Sequence, residues 1–297
     1  MRKFSAIILS IILLCLIIFP TACSDKQDTD AKNQDGYSEY VKCLLDGKGS
    51  GIVSTSFSDN EKALKYYKSN LRKSGDFMIT DIEDGVCINQ YLGDSDNVTV
   101  PEKLDGKPVI MLGGYIYDDN NSSSEIFGAF SNTNLDSITI KVPSSVKYID
   151  SSLMFHYSGM VDSYLIDNSK TYCTFEVDKN NPYFSSEGGC LYSKDMKTLN
   201  YINFNYYVKD NNEKTEFKVN DTVENFDLVE NIPSDLFVCF EFGKNIKDIN
   251  ANIDYREDGN KPNKELAQNL KLSVKGYKGT AAEKWANEQY LNFIAIE

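Results

Sequence analysis

The stretch Ile138-Thr139-Ile140-Lys141-Val142-Pro143-Ser144-Ser145-Val146-Lys147-Tyr148-Ile149 decides how the chain folds. Its first half alternates apolar and polar residues, so an extended backbone sends Ile138 and Ile140 into a core and Thr139 outward, as in a short strand. Its second half sets Val142, Val146 and Ile149 in an apolar-x3-apolar-x2-apolar pattern. Both signatures recur. The alternating triplet returns at Val98–Val100, Phe175–Val177, Phe217–Val219, Phe240–Phe242 and Leu272–Val274, and the second pattern at Val219, Val223, Phe226 and at Phe242, Ile246, Ile249. Val100 and Leu104 start the same pattern before Gly106-Lys107-Pro108 interrupts it. No single unit can bury its own apolar side, so each must stack on a neighbour. Triplet starts lie 40, 37, 42, 23 and 32 residues apart, which implies a basic unit near 23 residues carrying insertions.

Working outward, residues 128–140 (GAFSNTNLDSITI), running into Pro143-Ser144-Ser145-Val146, resemble the BspA-type leucine-rich repeat of bacterial surface proteins. Residues 177–189 (VDKNNPYFSSEGG) with Leu191-Tyr192-Ser193-Lys194-Asp195 and Leu199 are similar to that family's extended repeat. Asp84-Gly85-Val86, Val98–Pro101 and Asp105–Val109 are similar to its opening unit, and residues 276–283 (GYKGTAAE) to its ending. The resemblance covers residues 81–297; it departs from the family at residues 150–172, where Met154-Phe155-His156-Tyr157 replaces an Ala-Phe step, and at the polar insertion from Asp118 to Glu125. It implies a β-rich, irregular leucine-rich-repeat solenoid with a small α-helical N-terminal segment and a C-terminal helical cap. It also implies a non-enzymatic surface-binding role.

The ending reads the same way unaided. Thr280-x-x-Glu283 forms a capping box, Ala281, Ala282, Trp285 and Ala286 can cover the last open repeat, and Leu291, Phe293 and Ile296 can add a final strand. Trp285 is therefore expected as a cap residue, the rival being a sugar-stacking platform.

The N-terminus carries a cellular address. Arg2 and Lys3 precede the apolar run Ala6 to Phe19, which at 14 residues is short for a membrane span and right for a signal-peptide core. It ends in Pro20-Thr21-Ala22-Cys23, similar to a bacterial lipobox although Pro20 stands where Leu is favoured; the resemblance implies that Cys23 is lipidated and becomes the mature N-terminus. A secreted protein cut near Ala22, or an uncleaved anchor, is the alternative. The expected organisation is a signal peptide at 1–22, a polar flexible tether at 23–36, a helical cap at 37–80 and the repeat domain at 81–297, held on the outer face of a bacterial cell membrane. Within the cap, Tyr37, Tyr40, Val41, Leu44 and Leu45 share one helix face. A second helix is signalled by the capping box Ser58-Asp59-Asn60-Glu61, with Leu64, Tyr67 and Leu71 as its apolar stripe and Gly75 as its stop. The Lys62, Lys65, Lys68, Arg72 and Lys73 side reads as a solvated face, the alternative being contact with a membrane surface.

Among 297 residues, 31 are basic and 44 acidic, a net charge of −13 that argues against nucleic-acid binding, which needs clustered Lys and Arg. The lone histidine, His156, removes nearly all His-dependent metal sites and triads. Outside the leader and Cys23, the cysteines Cys43, Cys87, Cys173, Cys190 and Cys239 show no CxxC pair or zinc spacing, so they read as packing residues, with Cys173–Cys190 the pair to test for a bridge. Asp254-x-Arg256-x-Asp258-Gly259 lacks the ligands of a calcium loop and reads as a turn. Neither a catalytic residue nor a cofactor or metal site is expected.

The remaining candidate is a surface. Tyr183, Phe184, Tyr192, Tyr201, Tyr206 and Tyr207 crowd one region, either as repeat core or as exposed contact residues on the strand face. The sequence thus points to binding of a protein or cell-surface ligand. The alternatives are a carbohydrate- or solute-capturing lipoprotein, which needs an aromatic pocket, and an envelope hydrolase built from acidic pairs such as Glu83/Asp84, Asp118/Asp119 or Glu257/Asp258.

Overall fold

The computed structural model describes residues 24–45, 47–57, 60–118, 124–130, 135, 137–153, 172–204, 215–229, 232–233, 237–254, 264–270 and 272–297. Each alternating triplet falls on or against a strand, and these strands join in parallel. Asn97–Thr99, Ser137–Val142 and Tyr172–Val177 form one ladder; Thr215–Lys218, Phe237–Glu241, Ser273–Gly276 and Asn292–Ala295 form another. The second signature also ends in strands: Tyr148–Asp150, Asn225–Asp227 and Asp248–Asn250, the last two extending a parallel line from Thr198–Tyr201. A third line pairs Ile232–Pro233 with Ile253–Asp254. Between residues 215 and 254 the chain therefore crosses the same three lines twice. The partners Phe217↔Phe240, Phe226↔Ile249 and Ile232↔Ile253 are offset by 23, 23 and 21 residues.

The inward residues of these strands build one core. Val98, Ile138, Ile140, Cys173 and Phe175 fill it under the first ladder, and Phe217, Phe226, Phe237, Phe240 and Phe242 under the second. Here phenylalanine rings pack edge to face for Phe226–Phe242, with centroids 5.1 Å apart at 82°, and tilted for Phe237–Phe240, 4.9 Å apart at 55°. Each such side chain contributes about 1.5–3 kcal/mol through burial.

Antiparallel inserts interrupt the parallel winding. Phe77–Ile82 and Gly85–Tyr91 form a hairpin, and Phe184–Glu187, Cys190–Ser193 and Thr198–Tyr201 form a meander. The meander's first turn is Gly188-Gly189, with φ of +59° and +79°, a pair of left-handed residues that matches the twist of a two-residue hairpin. The break after Leu104 is also a hairpin, Lys103–Leu104 against Lys107–Leu112, turning at Asp105 and Gly106.

At the N-terminal end, a six-strand line runs Gly51–Val53, Tyr148–Asp150, Lys107–Leu112, Gly85–Tyr91, Phe77–Ile82 and Arg72–Ser74. Two helices, α1 (Ser24–Leu45) and α2 (Glu61–Asn70), cover one face of it. Tyr40, Leu44, Ala63, Tyr66 and Tyr67 meet Ile82, Cys87, Met111 and Tyr148 there, while Ile79, Val86, Ile88, Val109, Leu112 and Ile149 of the same sheet enter the main core.

Several expectations for this region are corrected. Helix α1 takes in residues 24–36, which the sequence reads as part of a flexible tether, and Asp35 binds Lys62 of α2 at 2.7 Å. The N-cap of α2 is Asn60, whose side chain accepts from Ala63 N at 3.1 Å, two residues beyond the Ser58 expected for that role. Gly75 does not stop α2, which ends at Asn70; at φ +59° it lies between two strands. Strand Phe77–Ile82 runs across residue 80, and Gly51–Val53 joins the same sheet.

At the other end, α3 (Lys264–Leu270) occupies the long interval before Ser273–Gly276, and α4 (Ala281–Glu288) seats Trp285 on Phe226, Phe240 and Phe242. The indole Nε1–H donates to Ala251 O at 3.0 Å, so Trp285 is a buried residue under the helix and offers no sugar platform. The expected capping box does not form: Glu283 accepts from Gly279 N at 2.7 Å, one residue before the N-cap, and the Thr280 hydroxyl donates to Tyr277 O.

Candidate interaction surface

Strand parity fixes what the first ladder shows to solvent. With Ile140 and Phe175 inside, Lys141 and Glu176 point out, and register aligns Thr99, Lys141 and Glu176 in one row across three strands. Lys141 and Glu176 are 42% and 57% exposed and meet at 3.8 Å, a long pair that neither side chain is bound to keep. Beyond the row the strands end in Pro101-Glu102, Pro143 and Asp178, and these residues enclose an open groove of about 460 Å³.

The groove's walls are held by buried amides and carbonyls. Asn181, fully buried, donates to Pro143 O (2.8 Å) and Val146 O (2.9 Å) and accepts from Tyr183 N and Phe184 N (2.8 Å each). All four hydrogen-bonding positions of its carboxamide are used, tying one turn of chain to the next. Glu102 takes Ser144 N at 3.1 Å and Ser144 Oγ at 2.9 Å, which fixes that rim.

The second ladder displays alternating charge. Glu216 meets Lys275 at 3.1 Å and Lys218 meets Glu241 at 3.2 Å. Along the neighbouring line, Glu224 sits between Lys197, at 2.8 Å, and Lys247. Hydrogen bonds from these two lysines, Lys197 foremost, hold its carboxyl down at about 2, and the Glu224 contact raises Lys197 in turn.

The described members of the aromatic cluster singled out in the sequence pack inward. Phe184, Tyr192 and Tyr201 are 1%, 5% and 2% exposed, and the Tyr201 hydroxyl is turned inward to accept from Cys173 N at 3.0 Å. Tyr183 is half-buried against the same core, and Tyr206 and Tyr207 lie outside the described residues. The correction is physical: tyrosine supplies apolar area to a core wherever a buried backbone group can satisfy its hydroxyl. Cys43, Cys87, Cys173, Cys190 and Cys239 are not joined in disulfides, Cys173 and Cys190 are both buried, and burial pushes the Cys87 and Cys190 thiols up. Of the acidic pairs, Glu83 is engaged by Lys147 and Tyr148; Asp119, Glu257 and Asp258 lie outside the described residues, as do His156 and Cys23. Among the described residues no group of three or more His, Cys, Asp or Glu converges as for a metal ion, and no helix is long and apolar enough to cross a membrane. Lys141, Glu176 and Asp178 were not candidates from sequence, although the parity of Ile140-Lys141-Val142 and Phe175-Glu176-Val177 places the first two outward.

No family model matches the chain, and no curated protein sequence does. Two solved structures show likeness. One is a leucine-rich repeat protein from Eubacterium ventriosum, at 17% identity over 63% of this chain and 43% of that one, with a TM-score of 0.31. The other is the pneumococcal vaccine antigen PcpA, at 14% identity over 61% of this chain and 66% of that one, with a TM-score of 0.22. The match spans no more than two thirds of either protein's length. Superpositions this loose carry no argument about activity.

Proposed function

We propose that the chain is a non-catalytic leucine-rich-repeat solenoid of BspA type, anchored by lipid on Cys23 to the outer face of a bacterial cell membrane, whose open ladder face binds a protein partner. The 23-residue offset shared by two stacked lines supports the solenoid reading. The observation that carries the binding role is the outward row Thr99, Lys141 and Glu176 opening onto the groove: a rigid polar surface with side chains free to re-pair. A standard interface needs about 800 Å² per partner, and successive rungs can supply that area. A net charge of −13 favours partners with basic patches and an association weakened by salt. Sugar capture is the poorer reading, because none of the groove's lining residues is aromatic.

The binding test uses the full chain in mild detergent, offered surface-protein extracts. A partner retained by the native chain should be lost by the charge-reversed variant Lys141→Glu/Glu176→Lys and eluted by raised salt. Equal retention by both chains would remove the ladder face from the reading. The anchor is tested separately: Cys23→Ser should abolish incorporation of labelled fatty acid and release the protein into the medium, whereas unchanged membrane retention would disprove lipidation.

A further inference from the structure

The groove at the ends of the first ladder has a floor and a charge. Its floor is apolar, with Val142 and Pro143 buried beneath and Pro101 and Val177 half-exposed at the sides. Its rim carries Glu102, Glu176 and Asp178 against Lys141, an excess of acid. Glu102 is committed to Ser144, but among the described residues Glu176 meets Lys141 alone, across a long contact, and Asp178 uses Oδ1 to accept from Asn180 N at 2.7 Å. Glu176 points outward from the strand Tyr172–Val177, Asp178 is the first residue past its end, and both line the groove. An apolar channel leading to two carboxylates matches one kind of side chain. Lysine and arginine lay an alkyl stem along apolar surface and keep the cation at its edge.

We infer that this groove receives a lysine or arginine side chain presented by an extended segment of a partner protein, with the stem on Pro101 and Val177 and the cation between Glu176 and Asp178. The inference rests on the protein-binding reading above and names its central subsite. Lys141 is the resident competitor: it lies directly across from Glu176 and occupies that carboxylate when no ligand is present. Removing Lys141 therefore strengthens binding, an outcome that a merely structural role for the ladder does not give.

The probe is a labelled pentapeptide, acetyl-Gly-Pro-Lys-Pro-Gly-amide, titrated against the full chain in detergent and read by fluorescence anisotropy. Two peptides with norleucine or glutamate in place of lysine separate the stem from the charge. The expected result is saturable binding of the lysine peptide, at least about fivefold tighter than either replacement and weakened by salt. Glu176→Gln/Asp178→Asn should lose that preference, Lys141→Met should tighten binding several-fold, and Glu61→Gln/Glu288→Gln, which removes the same charge from the helices α2 and α4, should change nothing. Equal affinity for the norleucine peptide, equal loss in the distant variant, or no saturation by any peptide overturns the inference. Partner capture that survives Glu176→Gln/Asp178→Asn but not Lys141→Glu/Glu176→Lys would leave the broad ladder face standing and remove only this subsite.

Discussion

The sheet at the N-terminal end and the ladders further along are built from the same extended backbone, yet they meet solvent differently. Gly85–Tyr91 is buried at nearly every position because α1 and α2 cover its second face. Ser137–Val142 alternates buried and half-buried, its second face left open. Polar groups follow the cover. Under the helices Thr80 donates to Asn89 Oδ1 at 2.8 Å, so Tyr40, 2.5 Å from the same Thr80 oxygen, is the donor in that contact, and Asn89 donates onward to Gly114 O at 3.1 Å. Asp150, also buried, accepts from Thr55 N at 2.9 Å and Ser152 N at 2.7 Å as well as from both hydroxyls, fastening the loop after Gly51–Val53. On the open ladders the polar groups are charges paired across strands. A closed face demands complete hydrogen bonding; an open one tolerates exchangeable partners, which is what recognition needs.

The contrast can be broken from either end. Trp285→Ala removes the buried ring under α4 and is expected to cost about 3–5 kcal/mol, measured by chemical denaturation. Hydrogen exchange should show the loss concentrated in the second ladder, with α1 and α2 still protected. Tyr40→Phe deletes one donor from a buried network and is expected to cost about 1 kcal/mol, with faster exchange confined to α1, α2 and the strand they cover. Uniform loosening of the whole chain by either change would mean that the two regions are one cooperative unit. The smallest effect belongs to the exposed charges. Glu224 has its carboxyl depressed to about 2, so its contribution is present above the ordinary carboxylate range near 4.3 and is lost as pH falls toward 2. Glu224→Gln should therefore lower the melting temperature slightly at neutral pH and converge on the native chain near pH 2, which flattens the acid limb, as read from melting temperature against pH.

Much of the ladder architecture was legible because strand parity is a local property: Ile138-Thr139-Ile140 declares its inward side without reference to anything distant. The turn signature was legible for the same reason, since Val219, Val223 and Phe226 lie within one short excursion. What escaped depended on partners far away in sequence. Tyr201 is a core residue because Cys173 N, 28 positions earlier, satisfies its hydroxyl, and nothing in its own neighbourhood announces this. Asn181 reads as a turn residue in Asn180-Asn181-Pro182, while its clamp on Pro143 and Val146 appears only once the turns stack. The groove was invisible for a related reason. Glu102, Lys141 and Asp178 come from three separate strand ends that only the parallel register assembles.

The shared carboxylate of Glu224 has a consequence for how this chain can change length. Its two lysines belong to the turns before and after it, each about one winding away. Excise the winding that carries Glu224 and Lys197 would face Lys247, ammonium against ammonium, at the new seam. Shortening by a whole period, which the geometry of the backbone would otherwise forgive, is thus penalised by the sign of the charges, and the number of windings becomes a trait the sequence itself guards.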